Sequence, residues 1–344
     1  MTDDQGFLHE IYSTFGGIAA FAQHHLAEHR LRQERLALLR DSIEQVVDAS
    51  EPRIRLVGNY AEKLLDAVEI GQRHCDDMLR RLPPALTLGG QAWAMDPCVN
   101  AFFATVDSLR ATLDLDPRVR TYFKESGPPE CFALLLMVKR ETETFGMTLA
   151  GDLLVRDAHQ IQVSFSNHQL FFPAASESEL RKELRQRMLM FLASRALERI
   201  NELRERRGTL EEQRRQLQAQ LRALRGHARG LQPLLSATDA DERRLATLEQ
   251  RLSQTEGESI VARKQLGTLD DYLEQVRQVL GHPETYLQLH PLSLRLNRLG
   301  VKLDPDSPEP GETLTLIELA SLGEQRIGAL VRFTRDELPP AETD

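Results

Sequence analysis

Between residues 239 and 281 an apolar or small side chain returns at alternating three- and four-residue steps: Leu245, Leu248, Leu252, Thr255, Ser259, Ala262, Leu266, Leu269, Leu273, Val276 and Leu280. A seam held this long predicts a helix packed against a partner along its length. The preceding stretch carries a matching seam of Ile200, Leu203, Leu210, Leu217, Leu221, Leu224, Ala228 and Leu231, weakened where Arg207 and Arg214 occupy its positions. Only "GLQPLLSATD", with Pro233, separates the two. Two long heptad helices joined by a short loop fold most simply into an antiparallel coiled-coil hairpin, expected here over residues 176–282. Charge agrees with that pairing. Residues 177–230 carry 14 Arg and Lys against 8 Asp and Glu, whereas residues 239–281 carry 6 against 9. Arms of opposite bias can pair across the positions that flank a seam.

The hairpin has a definite start. In "SESE", Ser176 with Glu179 fits a capping box, in which hydroxyl and carboxylate satisfy each other's backbone amides. Upstream, residues 1–82 read as long helices with Leu36, Leu39, Ile43 and Val46, then Ile54, Val57, Ala61, Leu64, Val68, Gly71, Cys75, Met78 and Leu82 on one seam. Pro52 either kinks one helix there or opens a second, and the residues themselves leave both readings open. Residues 83–130 form a linker and two short helices, each opened by an Asp-Pro pair, Asp96-Pro97 and Asp116-Pro117. A buried stripe of Phe102, Val106, Leu109 and Leu113 belongs to the first of them.

The period changes to two over residues 131–175. Phe145, Met147 and Leu149 alternate with polar or small residues, as do Ile161, Val163 and Phe165, and "CFALLLMV" reads as a buried strand. An antiparallel β-meander follows, ending in a turn at Asn167 and His168. Strand signals return over 283–335, and 336–344 is an acidic tail. The expected class is therefore mainly α with a smaller β component (α+β). Its N-terminal region is helical, and the hairpin is inserted between the strand segments of one small antiparallel β domain, from which it projects.

Composition bounds function more by exclusion. The chain has 344 residues, 41% of them hydrophobic and 28% charged, which fits a folded soluble protein. A formal charge of −9 gives no general footprint for nucleic acid. Cys75, Cys98 and Cys131 are odd in number and widely spaced, so reduced thiols and a cytoplasmic location are expected. No signal peptide or spanning segment is expected, because the N-terminus opens acidic and the longest apolar run is "CFALLLMV".

Few residues suggest chemistry. "HLAEH" matches the H-x-x-E-H pattern, which sets His25 and His29 on one helix face as zinc ligands with Glu28 as general base. A third protein ligand is wanting, since no Glu occurs between Glu69 and Glu125. "HCDD" at 74–77 points its groups in different directions on a helix. Ser164, Ser166, Asn167 and His168 crowd one stretch, yet strand alternation puts both serines on a polar face with no oriented base. Phosphate-binding loops and nucleophile elbows are absent from the sequence. Arg204, Arg207, Arg214, Arg215, Arg222 and Arg225 are the candidate partner-binding residues. They can meet a protein or track a phosphate backbone, but no aromatic residue between 192 and 271 is available for base stacking.

These readings converge on a non-enzymatic interaction or scaffold protein that presents a coiled-coil arm to an unidentified protein partner or to a second copy as a homodimer. No cofactor is expected. A nucleic-acid-associated regulator using the arginines is the alternative, and a metal-dependent hydrolase built on His25, Glu28 and His29 is the third reading.

Overall fold

The computed structural model describes residues 30–37, 39–125, 129–150, 153–229, 239–321 and 324–338. The described residues are mixed α and β, with one sheet among them that is antiparallel apart from a two-residue strand. It divides into two units, Met1–Gly71 with Leu192–Gly281, and Gln72–Phe191 with His282–Asp344. Among the described residues no helix is long and apolar enough to cross a membrane.

Among the described residues all the strands belong to the second unit. They are β1 (Leu86–Thr87), β2 (Glu130–Ala150), β3 (Leu153–Ala174), β4 (Gln288–Leu296), β5 (Glu312–Ser321) and β6 (Glu324–Thr334). Their order across the sheet is β3-β2-β6-β5-β4, and β1 lies parallel beside β6. Bridges of Gln162 to Val301 and Leu296 to Lys302 tie the β4 edge back to β3. Two-residue alternation sends Cys131, Ala133, Leu135 and Met137 of β2 into one core with Ile327, Ala329, Val331 and Phe333 of β6. Leu134 and Leu330 are buried on the opposite face. Both faces of the central strands are therefore apolar, which explains why "CFALLLMV" reads as a continuous run.

Three expectations about this unit need correction. The segment 131–175 is one long hairpin in place of a meander, because β2 continues from the buried run through the polar "KRETE" into "TFGMTL". Beyond Met137 β2 no longer pairs with β6, and its partner from there on is β3. Nor does the chain turn at Asn167 and His168. Strand β3 runs on to Ala174, and Asn167 adopts φ 54° where the register with β2 slips between Leu136 and Val138. A bulge of this kind absorbs one extra residue, and Asn tolerates the left-handed angles it requires. Between β1 and β2 stand four short helices instead of two: α3 (Gly90–Met95), α4 (Pro97–Phe102), α5 (Val106–Leu115) and α6 (Pro117–Glu125). Asp96 and Asp116 cap as the sequence suggests, accepting from Cys98 N at 2.8 Å and Arg118 N at 2.9 Å. The stripe from Phe102 to Leu113 is cut by a further capping box, Thr105 with Ser108.

Helix α2 (Tyr60–Arg81) reaches this unit at Gln72, and α7 (Glu177–Arg229) leaves it at Phe191. Ser176 caps α7 by accepting from Glu179 N at 3.2 Å, while the Glu179 carboxylate takes Ala175 N, one residue earlier than the usual box. Within the unit the two helix ends are fastened by Arg181. Its guanidinium donates to the carbonyls of Leu79, Leu82 and Pro83 and is held by Glu177 at 2.8 Å. A cation on the last carbonyls of a helix both satisfies orphan acceptors and complements the dipole. Arg185 with Asp76 at 2.6 Å, and the His74 ring nitrogen with Leu287 O at 2.9 Å, add to the attachment.

In the first unit, residues 30–37 are helical, and residues 39–49 form α1. Pro52 then opens a 3-10 turn, Pro52–Leu56, so it separates two helices and does not bend one. Ile43, Val46, Val47, Ile54, Leu64, Leu65 and Val68 are buried here. The second seam helix is broken once, into α8 (Asp239–Gln265) and α9 (Leu269–Gly281). Thr268 caps α9, and Asp271 returns to accept from Thr268 N at 2.7 Å and Gly267 N at 2.9 Å. A Cβ at Gly267 would lie 2.5 Å from Arg263 O, so only glycine fits the break.

Arg181→Ala removes a charged donor from three carbonyls. It should lower unfolding stability by about 1–3 kcal/mol, measured as the shift in denaturant midpoint. Arg181→Lys should recover only part of the loss, because an ammonium cannot fan its donors over three acceptors.

Candidate functional site

The candidate site lies on the first unit, where α7 meets α8 and α9. Contacts between them run in opposite directions along the two stretches. Arg199 Nε donates to Gln275 Oε1 at 3.0 Å, and Arg207 Nη1 to Leu266 O at 3.2 Å. Farther along, Glu211 meets Arg263 at 3.6 Å, and Arg225 donates to Glu249 at 2.6 Å. The seam residues are the shielded ones: Ile200, Leu210, Leu221, Ser259, Ala262, Leu266, Leu273, Val276 and Leu280 are buried, and Leu217, Leu224, Leu245, Leu248 and Leu252 are half-buried.

Most of the six candidate arginines have partners within this unit. Arg204 donates to Glu51 at 2.9 Å and to Asn201 at 2.9 Å, and lies 5.7 Å from the Tyr272 ring centroid. Arg53 reaches the same carboxylate at 2.8 Å and the same ring at 5.6 Å. Glu51 is thus a carboxylate only 9% exposed between two guanidinium groups. Hydrogen bonds from Arg53 and then Arg204 hold its carboxyl below the usual range against the opposing effect of burial. Arg207 bonds Glu211 at 3.2 Å as well as Leu266 O. Arg215 pairs with Glu212 one turn away at 3.1 Å, and Arg225 with Glu249. Arg222 is exposed. The sequence reading missed Glu51, Tyr272 and Glu249 as partners, although the opposite charge bias of the two stretches carried the signal for Glu249.

Arg214 is different. Its Nε is buried without a hydrogen-bond partner, and so is Ser259 Oγ. Counting from the Glu211–Arg263 contact, these two residues fall at the same level of the paired helices. The Arg207 hydrogen bond, with the charges of Arg263 and Arg214, holds the Glu211 carboxyl below its usual range. On α8 beside this level, Ile260 is 58% and Val261 56% exposed. Gly257 stands three and four residues before them and so shares their face, and a Cβ there would meet nothing within 4 Å. Two large apolar side chains and a bare backbone thus border a polar layer.

Elsewhere, the Ser164–His168 stretch has the geometry of packing. His168 Nε2 lies 2.8 Å from Phe102 O, and its ring stacks on Phe103 with centroids 4.7 Å apart. Burial pushes its pKa down, and Ser166 Oγ is buried without a partner. Cys75 and Cys131 are buried free thiols pushed up to about 12 by that burial, which makes them unreactive. Among the described residues no group of three or more His, Cys, Asp or Glu is arranged to hold a metal. His25, Glu28 and His29 lie outside the described residues.

Glu51→Gln should destabilise the first unit at neutral pH by about 1–3 kcal/mol, the usual cost of a lost charged hydrogen bond. A carboxyl whose folded pKa is depressed stabilises fully above its unfolded pKa, and this contribution disappears as pH falls through the folded value. The gap between wild type and variant should therefore close below about pH 4.5, which urea titrations across pH will measure.

Compared with known proteins, the chain matches no family model, no curated protein and no solved structure.

Proposed function

We propose that this is a non-enzymatic interaction protein of the cytoplasm in which α7 and the α8–α9 pair form an antiparallel coiled-coil hairpin, one that docks a protein helix on the face of Gly257, Ile260 and Val261. Several features support the pairing: the opposed order of the cross-contacts, the shielding of both seams and the complementary charges of the two stretches. The observation that carries the docking reading is the exposure of Ile260 and Val261 side by side. Large adjacent apolar side chains on a charged helix are a solvation cost that a partner removes. A second copy of the chain is one such partner, giving a homodimer.

The arginine bias supports protein docking better than phosphate tracking. Arg204, Arg207 and Arg225 are engaged with carboxylates of the same unit, so part of their donor capacity is already used. Nucleic-acid binding would call for a row of free cations and would weaken steeply with salt.

Ile260→Glu combined with Val261→Glu should leave helical content unchanged and abolish partner retention, or dimer sedimentation if the partner is a second copy. Retention of the same partner by wild type and variant would sink the docking reading, and partner loss with Arg222→Glu alone at low salt would favour nucleic acid. Gly257→Ala separates stability from binding. It should raise helix stability by about 0.5–1 kcal/mol while weakening docking, because its methyl group fills the face where a partner backbone approaches.

A further inference from the structure

The second unit contains a cavity of about 200 Å³ with an almost wholly apolar lining, between the outer face of the sheet and the adjoining ends of α2 and α7. Leu79 and Leu82 of α2, Leu184 and Met188 of α7, and Leu134 and Leu289 of the sheet line its walls. An unfilled apolar recess leaves its lining short of van der Waals contacts, which an apolar ligand would restore. An apolar cavity of about 150 Å³ already admits a benzene ring.

Two unusual backbone positions line it. Gly328 lines it from the middle of β6, where a Cβ would lie 2.8 Å from Leu319 Cδ1 and press that side chain into the space. Glycine weakens a strand interior, and close approach is the usual reason for finding one there. Phe172, whose ring also lines the cavity, has φ 57°, a left-handed angle costly for an aromatic residue. It sits where β3 slips against β2 between Phe132 and Leu134. Strained residues of this kind persist at ligand sites, where the surroundings fix the side chain in a required direction.

The single charged residue of the lining is Arg187. Its guanidinium lies 5.4 Å from the Phe172 ring centroid and uses Nε on Glu183 at 2.7 Å. The side chain is 61% exposed, so its remaining donors face the solvent side.

We propose that this cavity binds a medium-length alkyl chain ending in a carboxylate, the chain among the leucines and Met188 and the carboxylate on the outer donors of Arg187. Guanidinium groups suit this task because their fork matches the two carboxylate oxygens. The site is independent of the docking face on α8 and stands whether or not that reading holds.

The test is titration calorimetry of the full chain with hexanoate, octanoate, decanoate and dodecanoate, with 1-decanol as the uncharged control. Expected is one saturable site, with affinity rising about fourfold per methylene while the chain remains buried. 1-Decanol should bind about tenfold more weakly than decanoate, reflecting a lost charge-assisted pair. Arg187→Gln should abolish that difference, and Met188→Trp should block the site. Gly328→Ala should weaken binding in the same direction through Leu319, which keeps the test decisive if the tryptophan variant does not fold. Absence of saturable binding, equal affinity for decanoate and 1-decanol in the wild type, or undiminished binding in folded Met188→Trp or Gly328→Ala would overturn the proposal.

Discussion

The register between α7 and the α8–α9 pair is the constraint on which the chemistry of the first unit depends. Contacts at 199 with 275, 207 with 266, 211 with 263 and 225 with 249 retreat along one stretch as they advance along the other. Ion pairs this exposed contribute little energy each, about 0–1 kcal/mol. Burial of Leu210, Leu221, Ala262 and Leu266 supplies the larger share, at roughly 25 cal/mol per Å² of apolar surface. The charged pairs act instead on specificity, since sliding the helices by one turn would separate Glu249 from Arg225 and set Glu211 away from Arg263. Register in turn decides which polar atoms are buried without a hydrogen bond. It brings Arg214 and Ser259 to one level and leaves Ile260 and Val261 facing outward.

This view changes the meaning of the arginine-rich composition of α7. A stretch with 14 basic and 8 acidic residues suggests an anionic ligand when it is read alone. In the folded unit, Arg204 closes on Glu51 and Tyr272, Arg207 spans to the end of α8, and Arg225 closes on Glu249. Arg207 and Arg214 interrupt the seam at a cost in apolar contact, and polar seam residues of this kind commonly fix register and partner choice. The stripe is therefore mostly internal electrostatics, with Arg222 among its exposed cations.

Periodic features were legible in the sequence, and local chain geometry was less so. The seam residues from Leu245 to Leu280 are shielded as their spacing implies, and Asp96, Asp116 and Ser176 cap helices as their side chains allow. The break at Gly267 was hidden because the heptad phase continues across it, although "GTLDD" carries the Thr and Asp of a cap. The continuity of β2 through "KRETE" was hidden because a ribbon exposed on both faces loses the alternation that marks a strand. Asn167 reads in the sequence as a turn residue, and a bulge demands the same left-handed angles as a turn. The apolar cavity had no sequence signature at all, since its walls come from leucines as distant as Leu79 and Leu319, each an ordinary core residue in its own segment.

The pairing of the two stretches is best tested by electron–electron distance measurement between spin labels at the exposed positions 222 and 251, with labelled protein diluted into unlabelled protein so that only distances within one chain are read. An antiparallel hairpin predicts a short, narrow distribution, set by touching helices whose axes lie about 8–10 Å apart. A long or broad distribution, unchanged when Leu221 and Leu252 are replaced by polar residues, would contradict it.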